Sequence, residues 1–278
     1  MILRHPSAAG QYYPRDRVSL EQTLTALTRR VRTPKRTVLG ALVPHSGVTY
    51  CGETQAYAYK SFAGSPIFVI IGANHARLGA PYAIMTQGTW ATPLGNVGID
   101  SELAKAIASK APILANDIQA FTQEHSIETQ LPWLQHLFRD VAFVPISIYG
   151  DDATAYRTIG VAIRAAAKET GRSIAVIASS DLTRYGASFA FAPVEGDAAL
   201  DWIKETDQAV LEAIAKMDVE TLLNAAERTN LCGLGAIATM LYACMEVSTG
   251  GTLLQYATSF PITRTTSAVT SYAAVVME

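Results

Sequence analysis

The stretch SPIFVIIGANH, residues 65–75, predicts the fold of this chain. Its apolar run, 67–71, is followed at once by Gly72-Ala73-Asn74-His75. A continuous apolar run of this length is typical of a strand that is buried on both faces of a largely parallel sheet. Because 37–45, 141–150 and 172–181 share the pattern, we expect four such strands.

Helices are predicted beside these strands. They are expected at 51–62, 101–110, 124–138, 152–169, 198–215 and 233–246. The C-terminal tail predicts two more strands, which could pair as a hairpin. This alternation indicates an α/β fold with a central, largely parallel or mixed sheet flanked by helices. No linker-like composition marks a boundary, so we predict a single domain over 1–278.

The composition excludes several classes of protein. A formal net charge of −2 argues against nucleic acid as a partner, because phosphate binding requires a concentrated basic surface. No stretch reaches the ~18 apolar residues that a membrane span needs, and the first residues lack the apolar core of a signal peptide. Three cysteines are few and odd in number for a disulfide framework, which predicts a reducing, cytoplasmic location.

Polar clusters follow three of the predicted strands. They are Pro44-His45-Ser46-Gly47, Gly72-Ala73-Asn74-His75 and Ser179-Ser180-Asp181. In open α/β sheets, ligands bind outside the carboxyl ends of the strands. The sequence therefore predicts a functional site at this edge of the sheet.

Two histidines and a cysteine are the candidates for this site. His45 and His75 could each be a structural, hydrogen-bonded residue, but their neighbouring glycines leave space for a ligand. Cys232 precedes a predicted helix, whose N-terminus favours the thiolate that binds metal. A free cysteine is otherwise typical of a small buried hydrophobe, an interpretation that suits Cys244.

His125, Glu128 and Asp181 each allow two interpretations. His125 and Glu128 are three residues apart in the predicted helix, so they could orient one another or simply face solvent. Asp181 could accept a hydrogen bond from a ligand histidine, or it could cap the turn that follows it.

Taken together, the segments resemble the Memo family, which includes AmmeMemoRadiSam system protein B of archaea and bacteria. The matching motifs run along nearly the whole chain in the family's order. They are AGQYYP (9–14), PHSG (44–47), YCG (50–52), GANH (72–75), TPLG (92–95), EHSIETQLPWLQ (124–135), SSDLTRYG (179–186), NLCG (230–233) and YATS (256–259).

The resemblance implies a fold related to the class III extradiol dioxygenases. It also implies that His45, His75 and Cys232 are metal ligands, with iron(II) as the expected metal and copper or zinc as alternatives. A thiolate is softer than the glutamate of those dioxygenases and widens the range of suitable metals.

One departure from the family motif concerns the reaction. Arg184 stands where the family usually has histidine, and a guanidinium stays protonated, so it does not act as a general base. Arg184 could instead pair with a carboxylate or phosphate, or His125 could serve as the base. We therefore expect His125, Asp181 and Arg184 to act beside the metal.

Three functions are consistent with this resemblance. The leading hypothesis is a metal-dependent redox enzyme or oxygenase with a His-His-Cys centre. The alternative is a non-catalytic adaptor that binds a peptide or small molecule through an anionic group. A third is a subunit that acts with AMMECR1-like and radical-SAM proteins.

Overall fold

The computed structural model describes residues 2–196 and 198–278. These residues form twelve strands, several of them very short. The strands are β1 (Leu3–Arg4), β2 (Gly40–Val43), β3 (Ile67–Ala73), β4 (Tyr82–Ile84), β5 (Thr89–Thr92), β6 (Gly95–Ile99), β7 (Ala115–Asn116), β8 (Ala142–Ile148), β9 (Ile174–Ser179), β10 (Arg184–Tyr185), β11 (Gly251–Thr258) and β12 (Val269–Met277).

The same residues form nine α-helices, several of which lie against the sheet. They are α1 (Arg17–Arg30), α2 (Val48–Ser61), α3 (Ser101–Lys110), α4 (Leu131–Leu137), α5 (Ala153–Thr170), α6 (Ala198–Ala215), α7 (Val219–Ala226), α8 (Leu234–Cys244) and α9 (Phe260–Thr263). Among the described residues, no helix is both long enough and apolar enough to cross a membrane.

The strands join one mixed sheet, in which nine of them follow the order β1-β5-β6-β8-β3-β9-β2-β12-β10. Beside this row, β11 pairs with β12, and β4 pairs with β7 and β8. Its centre consists of β8, β3, β9 and β2, which are parallel, and β12 pairs antiparallel with β2. These four parallel strands are the four predicted from the apolar runs, and β11 and β12 form the predicted antiparallel pair. The α/β class with a mixed, helix-flanked sheet is therefore confirmed.

Burial explains why the central strands are so apolar. Every residue of β2 and β9 is buried, and α8 packs against β2, β3 and β9. The approach of α8 to β2 is so close that a Cβ at Gly40 would lie 2.7 Å from Sγ of Cys244. Cys244 therefore occupies the core, as its apolar neighbours in the sequence indicate.

The prediction of one helix over 124–138 is wrong in its first half. Residues 124–127 precede a short 3₁₀ turn, Glu128–Gln130, and the α-helix begins only at Leu131. Pro132 lies in the first turn of that helix, where its missing N–H is tolerated. Glu128 consequently does not share a helical face with His125, and its carboxylate forms an ion pair with Arg4.

Candidate functional site

The polar clusters meet at the carboxyl edge of the central strands. His45 follows β2, His75 follows β3 and Asp181 follows β9, while Cys232 lies just before α8. Since β2, β9 and β3 are adjacent and parallel, their ends bring these side chains together.

His45 is almost completely buried, and its ring orientation is set by Ser179. Nδ1 of His45 lies 3.2 Å from Oγ of Ser179, and that hydroxyl donates its own proton to the carbonyl of Ser126 at 2.7 Å. A hydroxyl has one proton to give, so Ser179 accepts from His45 and Nδ1 of His45 carries hydrogen. Nε2 then faces Cys232, whose Sγ is 3.2 Å away.

His75 is oriented in the same way by Glu124. Oε1 of Glu124 lies 3.0 Å from Nδ1 of His75, and Oε2 accepts the backbone N–H of His75 at 2.6 Å. Burial raises the pKa of Glu124, but its contacts with His75 outweigh burial and lower the pKa to about 2. The carboxylate is therefore ionised and only accepts, so Nδ1 of His75 donates and Nε2 is left for another partner.

Cys232 is held as a thiolate. Burial raises its pKa, but His45 and His75 outweigh burial and hold the pKa well below the usual thiol value. Oγ of Ser180 accepts the backbone N–H of Gly233 at 3.0 Å and fixes the turn. A Cβ at Gly233 would lie 2.5 Å from Cβ of Ser180, so this position requires glycine.

In chelator-treated protein, the alkylation of Cys232 by iodoacetamide is expected to persist at a pH below the range in which an ordinary thiol stops reacting. An ordinary thiol loses its thiolate below about pH 8.5, whereas a lowered pKa keeps the thiolate present at lower pH. Mass spectrometry across a pH series would measure this rate. Cys51 and Cys244 are the internal controls, since both are buried with raised pKa values. A rate for Cys232 with its midpoint near that of free cysteine would contradict the assignment.

His125 completes a cluster of three imidazoles. Its ring stacks on Tyr12 at 4.1 Å and on His75 at 4.6 Å between centroids, and it meets the His45 ring edge-on at 5.2 Å. Burial and the charge of His45 lower the pKa of His125 to about 3. His125 is therefore neutral near pH 7.

Asp181 supports the turn that carries His45. Its carboxylate accepts the backbone N–H groups of His45 and Ser46 at 3.0 and 3.2 Å, and the Ser46 hydroxyl at 2.6 Å. Oδ2 of Asp181 is 3.9 Å from Nε2 of His45, beyond hydrogen-bonding distance. Burial raises the pKa of Asp181, but His45 and these hydrogen bonds outweigh it, so the carboxylate is ionised.

Arg184 lies in β10 at the border of the site. Its backbone carbonyl accepts from Asn230, two residues before Cys232, at 3.3 Å. Its guanidinium carbon is 5.9 Å from the ring centroid of Phe189. Nε is buried without a hydrogen-bond partner among the residues that the structure describes. The positive charge is near enough to lower the pKa values of Cys232 and Asp181.

The possible metal-binding atoms form two overlapping groups. One consists of His45, His75 and His125, and the other of His45, Asp181 and Cys232, with the atoms of each group within 4.8 Å of one another. The ligand set predicted from sequence is divided between these groups. His75 belongs to the first group, Cys232 belongs to the second, and His45 belongs to both. Two imidazoles whose Nδ1 atoms are engaged, together with one thiolate, suit a borderline or soft divalent metal.

Glu124 and Tyr12 were not assigned a role in the site from sequence. Glu124, which orients His75, directly precedes His125 in the EHSIE motif, and that adjacency was the available signal. Tyr12, which stacks on His125, belongs to the AGQYYP motif. Both contacts join segments that are distant in sequence.

Comparison with known proteins agrees with the motifs. The family model described as Memo-like protein matches residues 4–276. A MEMO1 family protein from Thermococcus onnurineus is 35% identical over 289 residues, covering 99% of each chain, and one from Methanosarcina acetivorans is 36% identical over 282 residues, covering 100% of each. A solved structure, the uncharacterized protein JW3007 from Escherichia coli K12, aligns with a TM-score of 0.49 and 11% identity, covering 85% of this chain and 98% of that one.

Proposed function

Because this chain belongs to the Memo-like protein family, we propose that it binds a redox-active metal ion through His45, His75 and Cys232. The observation that carries the proposal is the orientation of the two imidazoles. Both Nδ1 atoms are engaged by fixed acceptors, so Nε2 is the ring nitrogen that each histidine would offer to a metal once it has lost its proton. Metal-binding histidines usually donate their other ring N–H in this way.

We propose iron(II) as the native metal, with copper or zinc as alternatives. A thiolate beside two imidazoles is suited to each of these metals. Bound iron or copper would supply redox chemistry, which makes an oxygenase-like or other oxidoreductase activity the leading function.

The surrounding side chains would bind and orient a substrate. A neutral His125 is able to accept a hydrogen bond from a substrate hydroxyl, and its stacking on Tyr12 and His75 fixes the plane of its ring. Asp181 is ionised and already accepts three hydrogen bonds from residues 45 and 46. Its role is therefore to hold His45 in place rather than to transfer a proton.

We infer from Arg184 that the substrate carries an anionic group. Its buried Nε lacks a partner among the described residues, and a buried donor without an acceptor costs free energy. A carboxylate or phosphate would satisfy it with a charge-assisted hydrogen bond. The same observation favours the second candidate function, a protein that binds an anionic peptide or small molecule without turnover.

Oxygen uptake by the iron-loaded protein distinguishes the two functions. We expect a catechol that bears a carboxylate to be consumed with a lower KM than the neutral catechol. Arg184→Gln should raise that KM about 10-fold or more with little change in kcat, since a hydrogen bond to a charged group contributes about 1.5–3 kcal/mol. The neutral catechol is the matched control, and its KM should not change.

Two outcomes would count against the oxygenase proposal. Carboxylate binding that depends on Arg184, without oxygen uptake from any catechol, would support the binding protein instead. Uptake that is equal for both catechols and unaffected by Arg184→Gln would contradict the role of Arg184.

A further inference from the structure

A buried ion pair joins the N-terminal segment to the site. Arg4 is 5% exposed, and its Nη1 lies 2.5 Å from Oε2 of Glu128, 124 residues away in sequence. Nε of Arg4 donates to the carbonyl of Phe121 at 2.8 Å, and Nη2 donates to the carbonyl of Glu124 at 2.7 Å. The guanidinium also lies 4.1 Å from the ring centroid of Trp90.

Glu128, the partner of Arg4, accepts hydrogen bonds from the residues that follow Arg4. The carboxylate of Glu128 accepts the backbone N–H groups of Ser7 and Ala8, each at 2.9 Å. It also accepts the hydroxyl of Tyr13 at 2.5 Å. The Arg4–Glu128 pair therefore fixes the path of the chain from residue 4 to residue 13.

A gain in folding stability does not by itself account for the buried Arg4–Glu128 pair. Removing two charges from water is costly, and a buried ion pair often contributes no more than apolar residues of the same volume. Its value here is geometric, because a planar guanidinium donates in several fixed directions at once.

Two chains of contacts lead from the Arg4–Glu128 pair to the cluster of imidazoles. In the first chain, Arg4 donates a hydrogen bond to the carbonyl of Glu124, whose carboxylate orients His75. In the second chain, Glu128 accepts a hydrogen bond from the hydroxyl of Tyr13, and the preceding residue, Tyr12, stacks on His125. Among the residues that the structure describes, neither Arg4 nor Glu128 forms a hydrogen bond with a proposed metal ligand.

We propose that Arg4 and Glu128 are positioning residues, which set the orientation of His75 through Glu124 and the place of Tyr12 beside His125. This inference rests on the proposed metal site, since its consequence is a His75 ring pre-oriented for metal. The N-terminal segment is thereby part of the functional site rather than a peripheral strand.

The test uses Arg4→Lys, with cobalt(II) as the metal probe. Lysine keeps the charge opposite Glu128, but a single ammonium does not reproduce the guanidinium's fixed set of donors to Glu128, Phe121 and Glu124. Glu128→Gln is the second variant, because it preserves shape and one acceptor oxygen. Arg36→Lys is the matched control, since the Arg36–Glu278 ion pair joins the segment before β2 to the residue after β12, at the other end of these strands.

Two readouts separate positioning from general stability. Arg4→Lys is expected to weaken cobalt(II) binding about 10- to 100-fold, the usual effect of losing support behind a ligand, and to shift the cobalt d–d bands. In metal-free protein labelled with ¹⁵N-histidine, it should also shift the imidazole resonances of His75. Arg36→Lys should change neither readout.

Unchanged cobalt spectra and unchanged His75 resonances in folded Arg4→Lys and Glu128→Gln would overturn the inference. If the unaltered protein takes up no cobalt, the proposed metal function fails by itself. The His75 resonances then decide the positioning role alone, so the two failures are distinguishable.

Discussion

Replacing Cys232 with serine is expected to weaken metal binding by on the order of 100-fold or more, because a ligand contributes more than the residues that support it. Serine has nearly the same shape and keeps the turn before α8, but its hydroxyl stays neutral where the thiol is ionised. The variant therefore lacks the thiolate that would bind the metal. Competition titration of metal-stripped protein with a chromophoric chelator would measure the change.

Cys51→Ser is the matched control for this prediction. Sγ of Cys51 donates to the carbonyl of Ser46 at 3.0 Å, and a serine hydroxyl is able to keep that hydrogen bond. Burial raises the pKa of Cys51 well above the usual value, so it is a neutral thiol in the native protein. We expect the metal affinity of this variant to be unchanged. If Cys232→Ser kept the full metal affinity of the unaltered protein, Cys232 would not be a metal ligand.

Replacing Arg4 with methionine is expected to lower the free energy of unfolding by about 3–5 kcal/mol. The carboxylate of Glu128 would stay buried without its cation, and that is the costly way to break a buried pair. The carbonyls of Phe121 and Glu124 would also lose their donor. Urea denaturation followed by circular dichroism would measure the loss.

Arg36→Met provides the comparison for that loss. The Arg36 and Glu278 side chains are 25% and 36% exposed, so water compensates for the broken pair. Because this pair is partly exposed, we expect a change closer to the value of about 1 kcal/mol or less that is typical of surface ion pairs. Equal losses in the two variants would show that the burial of the Arg4–Glu128 pair has no special energetic weight.

The central sheet was predictable because its signal is local. The run at 67–71 is apolar without interruption because neighbouring strands and helices cover β3, and the same physics marks β2, β8 and β9. The positions of His45, His75 and Asp181 followed directly, since a residue just after a parallel strand lies at its carboxyl edge. Helix α6 was predicted with its observed bounds, 198–215.

The remaining features depend on contacts that periodicity does not report. Helix α1 was missed, although Asp16 caps it through the N–H of Ser19, because few of its residues are apolar. The turn at 124–127 was taken for helix because Ile127 and Leu131 have helical spacing in a segment that is held by other contacts. The role of Arg4 was not predictable from the sequence pattern, because its partner, Glu128, lies 124 residues away.

The proposed metal centre is tested most directly by elemental analysis of the protein purified without added metal or chelator, beside Cys232→Ser. Near-stoichiometric iron or copper is expected in the unaltered protein, and this metal should be lost in the variant. Protein that contains no metal, and that takes up iron(II), copper and zinc poorly when they are supplied, would contradict a His45, His75 and Cys232 metal centre.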